Sequence, residues 1–118
     1  RAAEALARMR EAWNNAPVVS SLDGAAIRIA GFVIPLERVK EEVSEFLLVP
    51  YFGACIHTPP PPANQIVHVT LKKPWSLRAM DAVWVSGPLA VRRGSSDMGA
   101  SGYALAAETV EPYRGQNR

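Results

Sequence analysis

The chain lacks most of the features that would assign a protein to a class at once. It has a single cysteine, Cys55, among 118 residues, so no disulfide can form within one chain and a cysteine-rich zinc knuckle is excluded. No apolar run approaches the roughly 18 residues that a membrane-spanning helix needs. Thirteen Lys and Arg against eleven Asp and Glu give a net charge of +2, an excess too small for a dedicated nucleic-acid-binding protein.

The sequence also lacks an initiating methionine, since it begins at Arg1 within a segment of helical periodicity. We expect an N-terminal segment, interpreted as a signal peptide, to have been removed. The 118 residues are too few for two domains, and a hydrophobic content of 48% is too high for a disordered chain. One globular domain is therefore predicted.

Residues 1–17 predict an N-terminal amphipathic helix. Ala2, Leu6, Met9 and Trp13 recur at helical spacing. Pro17 cannot continue the hydrogen-bond ladder of a helix, so the helix is expected to end before it. We interpret the apolar stripe as a packing face rather than as a binding surface.

Residues 18–113 change to a period of two, which predicts five β-strands. Gly31 interrupts the first strand and predicts a bend, as a strand shared by both halves of a small barrel requires. A short helix is expected at residues 75–80, between the third and fourth strands, and a mobile loop at residues 92–102, with a polar tail at 114–118. This order predicts a small five-stranded OB-like Greek-key barrel; another small barrel or sandwich of five to six strands is the alternative.

The segment between the second and third strands contains Cys55 and His57, one residue apart. In an extended backbone both side chains would project from the same face. Sulfur and imidazole nitrogen are donors that zinc and copper prefer, and His68, the only other histidine, is the expected third ligand. So few ligands predict weak binding. The alternatives are that Cys55 is a small buried hydrophobe, or a nucleophile activated by a histidine.

Four consecutive prolines follow this pair and predict a stiff polyproline II rod of roughly 12 Å. The rod is either a spacer or a surface on which a partner docks. The candidate docking residues are Pro59, Pro60, Pro61, Pro62, Asn64 and Gln65.

Two other functions receive little support from the residues. OB barrels often bind oligonucleotides through aromatic side chains on the second and third strands, but residues 65–71 contain no aromatic residue. No Asp or Asn adjoins Cys55 or His57 to orient a base, and no Gly-rich oxyanion element is present, so a cysteine enzyme is not expected.

Two runs of the chain, RIAGFVIPLE at residues 28–37 and EFLLVPYFGACIH at residues 45–57, with the prolines and Asn64–Gln65 that follow, resemble a bacterial family of exported proteins with a domain of unknown function. Many members are periplasmic or lipoproteins. Some are encoded beside zinc-responsive ABC-type permeases and a histidine-rich periplasmic zinc protein. The resemblance implies a periplasmic location and a connection with metal homeostasis.

The sequence and the resemblance together predict a periplasmic, non-catalytic accessory protein of metal homeostasis, with zinc as the expected metal. It would bind the metal weakly or transiently, dock to a component of an ABC-type transporter or a periplasmic metal-binding protein, or do both. The alternative is an interaction module of the envelope in which Cys55 is buried and structural.

Overall fold

The computed structural model describes residues 1–114. One helix precedes six strands, with short 3₁₀ turns at Ser20–Leu22 and Ala63–Gln65. The elements are α1 (Ala2–Asn14), β1 (Ala26–Val39), β2 (Glu42–Val49), β3 (Val67–Trp75), β4 (Ala82–Ser96), β5 (Gly99–Ala107) and β6 (Thr109–Pro112). Within these residues no helix is long and apolar enough to cross a membrane.

Five of the strands close into a barrel in the order β1-β2-β3-β5-β4, with β4 returning to pair with β1. All these pairings are antiparallel except that of β3 with β5. β6 pairs with β4 alone. The predicted mainly β, five-stranded barrel with an N-terminal helix is confirmed.

Gly31 lies where β1 exchanges one partner strand for the other. Residues up to Phe32 pair with β4, and residues from Phe32 onward pair with β2. A Cβ atom on Gly31 would lie 2.7 Å from Cγ of Leu48 and 2.8 Å from the carbonyl oxygen of Val49. The shared strand predicted from the sequence is therefore present, and glycine is required because β2 approaches it closely.

Two local predictions are wrong. The helix expected at residues 75–80 is absent, since β3 continues to Trp75 and only a turn at residues 79–80 precedes β4. The expected mobile loop at residues 92–102 is a β-hairpin in which Gly94 pairs with Ser101 and Ser96 with Gly99. The Gly and Ser residues of this segment are typical of a loop, but small side chains do not prevent the backbone from forming the hydrogen bonds of a strand pair.

The end of the chain also differs from the prediction. A single last strand was expected, whereas β5 ends at Ala107 and β6 begins at Thr109. Of the predicted polar tail at residues 114–118, only Arg114 is described, and it lies outside regular structure. The remainder of that prediction falls outside the described residues.

The buried side chains form two clusters on opposite faces of the barrel wall. The interior cluster includes Val33, Phe46, Leu48, Val69, Val85 and Leu105. The outer cluster consists of Ile34, Leu47, Val49, Ala54 and Ile66. Residues 46–49 alternate between the two clusters, so this part of β2 is buried on both faces. The covering loop, residues 50–66, connects β2 to β3 and supplies Ala54 and Ile66 to the outer cluster.

The interpretation of the α1 stripe as a packing face is wrong. No residue of the helix is buried, and Met9 is 65% exposed. The helix is instead attached at its C-terminal end, where the Arg93 guanidinium donates to the carbonyl oxygens of Asn14, Asn15 and Ala16 at 3.3, 3.4 and 2.8 Å. The Asn14 carbonyl is among those that a helix end leaves without partners, and Asn15 and Ala16 directly follow the helix.

We expect the substitution Gly31→Ala to lower the free energy of unfolding by about 1–3 kcal/mol, because the added methyl group overlaps backbone that cannot move aside cheaply. Urea unfolding of the purified protein measures the effect. The control is Ala26→Ser, an exposed position on the same strand, which should change stability by no more than about 0.5 kcal/mol. Equal stability of the two variants would contradict the close approach of β2.

Candidate functional site

The covering loop begins with a tight turn organised around one carbonyl group. The oxygen of Gly53 accepts hydrogen bonds from the backbone N–H groups of Ile56, His57 and Thr58 at 3.2, 2.8 and 3.2 Å. Gly53 has a φ of +87°, a conformation in which glycine has no steric cost. The turn is therefore held by its own backbone, independently of any ligand.

Cys55 lies within this turn, and its backbone is not extended. Its φ of +67° overturns the premise that Cys55 and His57 project from one face of an extended segment. The side chain is partly buried and packs against the outer cluster. Burial raises the pKa of the Cys55 thiol above its ordinary value, because the thiolate is poorly solvated there.

The two histidines lie in different environments. His57 is exposed on the turn, whereas His68 lies on β3, where its Nε2 contacts Oε2 of Glu45 on β2. Across residues 1–114, no three His, Cys, Asp or Glu side chains are grouped closely enough to hold a metal ion. The structure therefore does not bring Cys55, His57 and His68 together as one ligand set.

Glu45 was missed by the sequence reasoning as the partner of His68. The two residues belong to different strands, and their pairing depends on the register of β2 against β3, in which Leu47 lies opposite His68. Alternation along β2 places Glu45 on the same face as Leu47. Once the strand pairing is known, this alternation is the signal that identifies the pair.

The four prolines are unequally exposed. Pro59 and Pro60 are exposed, while Pro61 is buried and Pro62 is partly buried. Pro62 has φ −58° and ψ 152°, which are polyproline II values. The rod thus presents its first two residues to solvent and rests on the barrel through the last two.

The first two prolines are also fixed through their carbonyl groups. The indole Nε1 of Trp13 donates to the oxygen of Pro60 at 2.9 Å, and the hydroxyl of Tyr51 donates to the oxygen of Pro59 at 3.2 Å. The Trp13 bond connects α1 to the covering loop, and the Tyr51 bond lies within the loop. Trp13 and Tyr51 thus position the prolines, a role that the sequence did not indicate. Pro60 is 47 residues from Trp13, and the contact between Tyr51 and Pro59 depends on the intervening turn.

Asn64 and Gln65 differ in their surroundings. The Asn64 side-chain amide donates to the carbonyl oxygen of Pro17 at 2.8 Å, which ties the segment after α1 to the covering loop. Gln65 is exposed. Of the two polar residues predicted for docking, only Gln65 is fully available at the surface.

An exposed apolar surface extends over α1 and the covering loop. We call it the apolar platform, and it comprises Leu6, Met9, Trp13, Tyr51, Phe52 and Ile56. Phe52 is 67% exposed and its ring packs edge-on against Phe32 at a centroid distance of 5.8 Å. All six side chains are large hydrophobic or aromatic groups, so the chemistry of the platform is that of a contact surface.

Comparison with known protein families places the chain in one of them. A family model described as a protein of unknown function (DUF3299) matches residues 1–112. The chain belongs to the DUF3299 family. The match includes α1 as well as the barrel, so the helix that carries half of the apolar platform is part of the DUF3299 domain.

A solved DUF3299 structure agrees with this assignment. The chain is similar to a DUF3299 family protein from Pseudomonas aeruginosa PAO1, known from a crystal structure at 2.45 Å resolution, with 45% sequence identity and a TM-score of 0.83. The similarity covers 88% of this chain and 71% of that one. No protein of curated function matches this DUF3299 chain significantly.

We expect the thiol of Cys55 to react more slowly in the folded protein than after unfolding. Its raised pKa lowers the fraction of reactive thiolate at every pH below that pKa, and burial limits access. The rate of reaction with Ellman's reagent at pH 7, 8 and 9, with and without urea, measures the difference. A native rate equal to or above the unfolded rate would contradict the buried placement of the thiol.

Proposed function

We propose that this DUF3299 protein is a non-catalytic accessory protein that docks to another protein through the apolar platform and the exposed prolines beside it. The partner we propose is a component of a periplasmic metal-transport system that presents an aromatic-lined groove. The observation that carries the docking role is a helix whose large apolar side chains all remain exposed.

The exposure of α1 is costly unless something covers it. A helix of 13 residues is marginal in water by itself, and helices in proteins draw most of their stability from packing an apolar face. Within residues 1–114, α1 buries none of its residues, and of that face Trp13 hydrogen-bonds to the covering loop. A binding partner that covers Leu6, Met9 and Trp13 would supply the missing apolar contact.

The platform is also held rigid before any partner binds. The hydrogen bonds of Trp13 and Tyr51 to the proline carbonyls, and the turn around Gly53, fix the loop against the helix. A surface ordered in advance loses less conformational entropy on association. Trp and Tyr are also the residue types most enriched at the energetic centres of interfaces.

The choice of partner rests on the prolines and on the family resemblance. Exposed prolines in the polyproline II conformation dock into grooves lined with aromatic side chains. The resemblance to exported proteins encoded beside zinc-responsive permeases supports a periplasmic location and a transport component as the partner.

Photo-crosslinking in the source bacterium tests the docking surface. A photoreactive phenylalanine analogue placed at Phe52 or Ile56 should crosslink to one defined polypeptide, identified by mass spectrometry as a transport component. The control position is Arg78, which is exposed and lies outside the platform, and it should give no such product. Crosslinks of equal yield from Arg78, or none from Phe52 and Ile56, would refute the docking role.

Weak metal binding is a second candidate function, and its support is the donor chemistry of Cys55 and His57 on one short turn. A thiol and an imidazole two positions apart on one ordered turn offer two donors of the types that zinc prefers. His68 is engaged by Glu45, so it would contribute to this site only by leaving that contact. Two protein ligands predict transient rather than tight binding.

Titration of Zn²⁺ into the reduced protein by calorimetry tests this candidate. We expect weak binding that Cys55→Ala and His57→Ala each reduce at least about tenfold, because either change leaves one protein ligand. The matched control is His68→Gln, which should leave the affinity unchanged. Affinity that is the same in the wild type, Cys55→Ala and His57→Ala would remove the turn as a metal site.

A further inference from the structure

A shallow cavity of about 520 Å³ lies on the outer surface of the barrel, and none of its lining residues belongs to the apolar platform. Its floor includes the small side chains of Ala90 on β4 and Ala104 on β5, which pair with each other. His68 of β3 pairs with Ala104 from the other side. Larger residues at these positions would fill the depression. The volume is within the range of small-molecule sites.

One wall of the cavity carries two polar atoms that converge. Nδ1 of His68 lies 3.9 Å, and Oγ of Ser101 lies 3.0 Å, from the point that a Cβ atom of Gly94 would occupy. Because Gly94 has no side chain, this point is open. The other ring nitrogen of His68, Nε2, contacts the Glu45 carboxylate.

The contact with Glu45 occupies Nε2 of His68 and leaves Nδ1 for a ligand. A neutral imidazole that donates its Nε2 proton to Glu45 carries a lone pair on Nδ1, so Nδ1 accepts a hydrogen bond. The Ser101 hydroxyl beside it both donates and accepts. This wall therefore recognises a hydroxyl or amino group.

The cavity is also lined by charged groups. The Arg93 guanidinium is bound to the carbonyl groups at the end of α1, and the Asp23 carboxylate accepts from the N–H of Val91 at 2.8 Å. Arg92 also lines the cavity, and it has no hydrogen-bond or ion-pair partner among the described residues. Its guanidinium can bind a carboxylate with two hydrogen bonds.

We propose that this cavity binds a small organic carboxylate that also carries a hydrogen-bond donor. The carboxylate pairs with Arg92, the body of the ligand lies on the alanine floor, and the donor reaches Nδ1 of His68 and the Ser101 hydroxyl. Asp23 opposes the negative charge and limits the affinity. This site is independent of the docking role proposed above.

The test is a titration of the full ¹⁵N-labelled chain with 4-hydroxybenzoate, followed by NMR. We expect a dissociation constant of about 1 mM, with shifts centred on the amides of Gly94, Ala104 and Ala106. Benzoate lacks the donor and 4-hydroxybenzamide lacks the charge, so both should bind more weakly. Absence of shifts up to about 10 mM, or equal binding of 4-hydroxybenzamide, would overturn the proposal.

Variants separate this site from nonspecific binding. Arg92→Gln should weaken 4-hydroxybenzoate binding about three- to fivefold and Asp23→Asn should strengthen it, in keeping with exposed charge interactions. Ala104→Leu should abolish binding by filling the floor, with retained peak dispersion as the check on folding. The matched control Arg78→Gln should bind like the wild type. An Arg92→Gln affinity equal to that of the control would overturn the proposal.

Discussion

The burial of β2 on both faces is the constraint on which the rest of the structure depends. Phe46 and Leu48 enter the barrel interior, while Leu47 and Val49 face outward. An outward apolar face on a barrel wall must be removed from water, since each fully buried aliphatic side chain contributes roughly 1.5–3 kcal/mol. The covering loop performs this role, and its turn, its prolines and Cys55 take their positions from it.

The covering loop in turn determines which apolar surface is exposed to a binding partner. It is anchored to the barrel by Ala54 and Ile66, which are fully buried parts of the outer cluster. Its prolines lie between these two anchors, and Trp13 of α1 donates a hydrogen bond to the carbonyl oxygen of Pro60. Arg93, which lies on β4, donates a hydrogen bond to the carbonyl oxygen of Ala16 just after the same helix. A buried cluster thus explains why an exposed helix and an exposed loop form one surface.

The accuracy of the sequence predictions follows from the range of the interactions concerned. Gly31 could be identified as the bend in β1 because a glycine within a strand is a local signal. The backbone at Cys55 could not be predicted, because its positive φ results from three hydrogen bonds to Gly53 rather than from the prolines that follow. The pairing of His68 with Glu45 and the exposure of the α1 stripe depend on strand register and on what packs nearby. Neither is encoded in a short window.

The sequence by itself determined the helix, the alternation that produces a β-barrel, and the proline segment, since each depends on backbone preferences and on the period of apolar residues. The run of four apolar residues in β2 was visible as well. Only the tertiary structure decided that both faces of this run are buried, that α1 leaves its apolar side exposed, and that Arg92, His68 and Ser101 line one cavity. Those outcomes depend on which distant segments meet, and local periodicity carries no information about that.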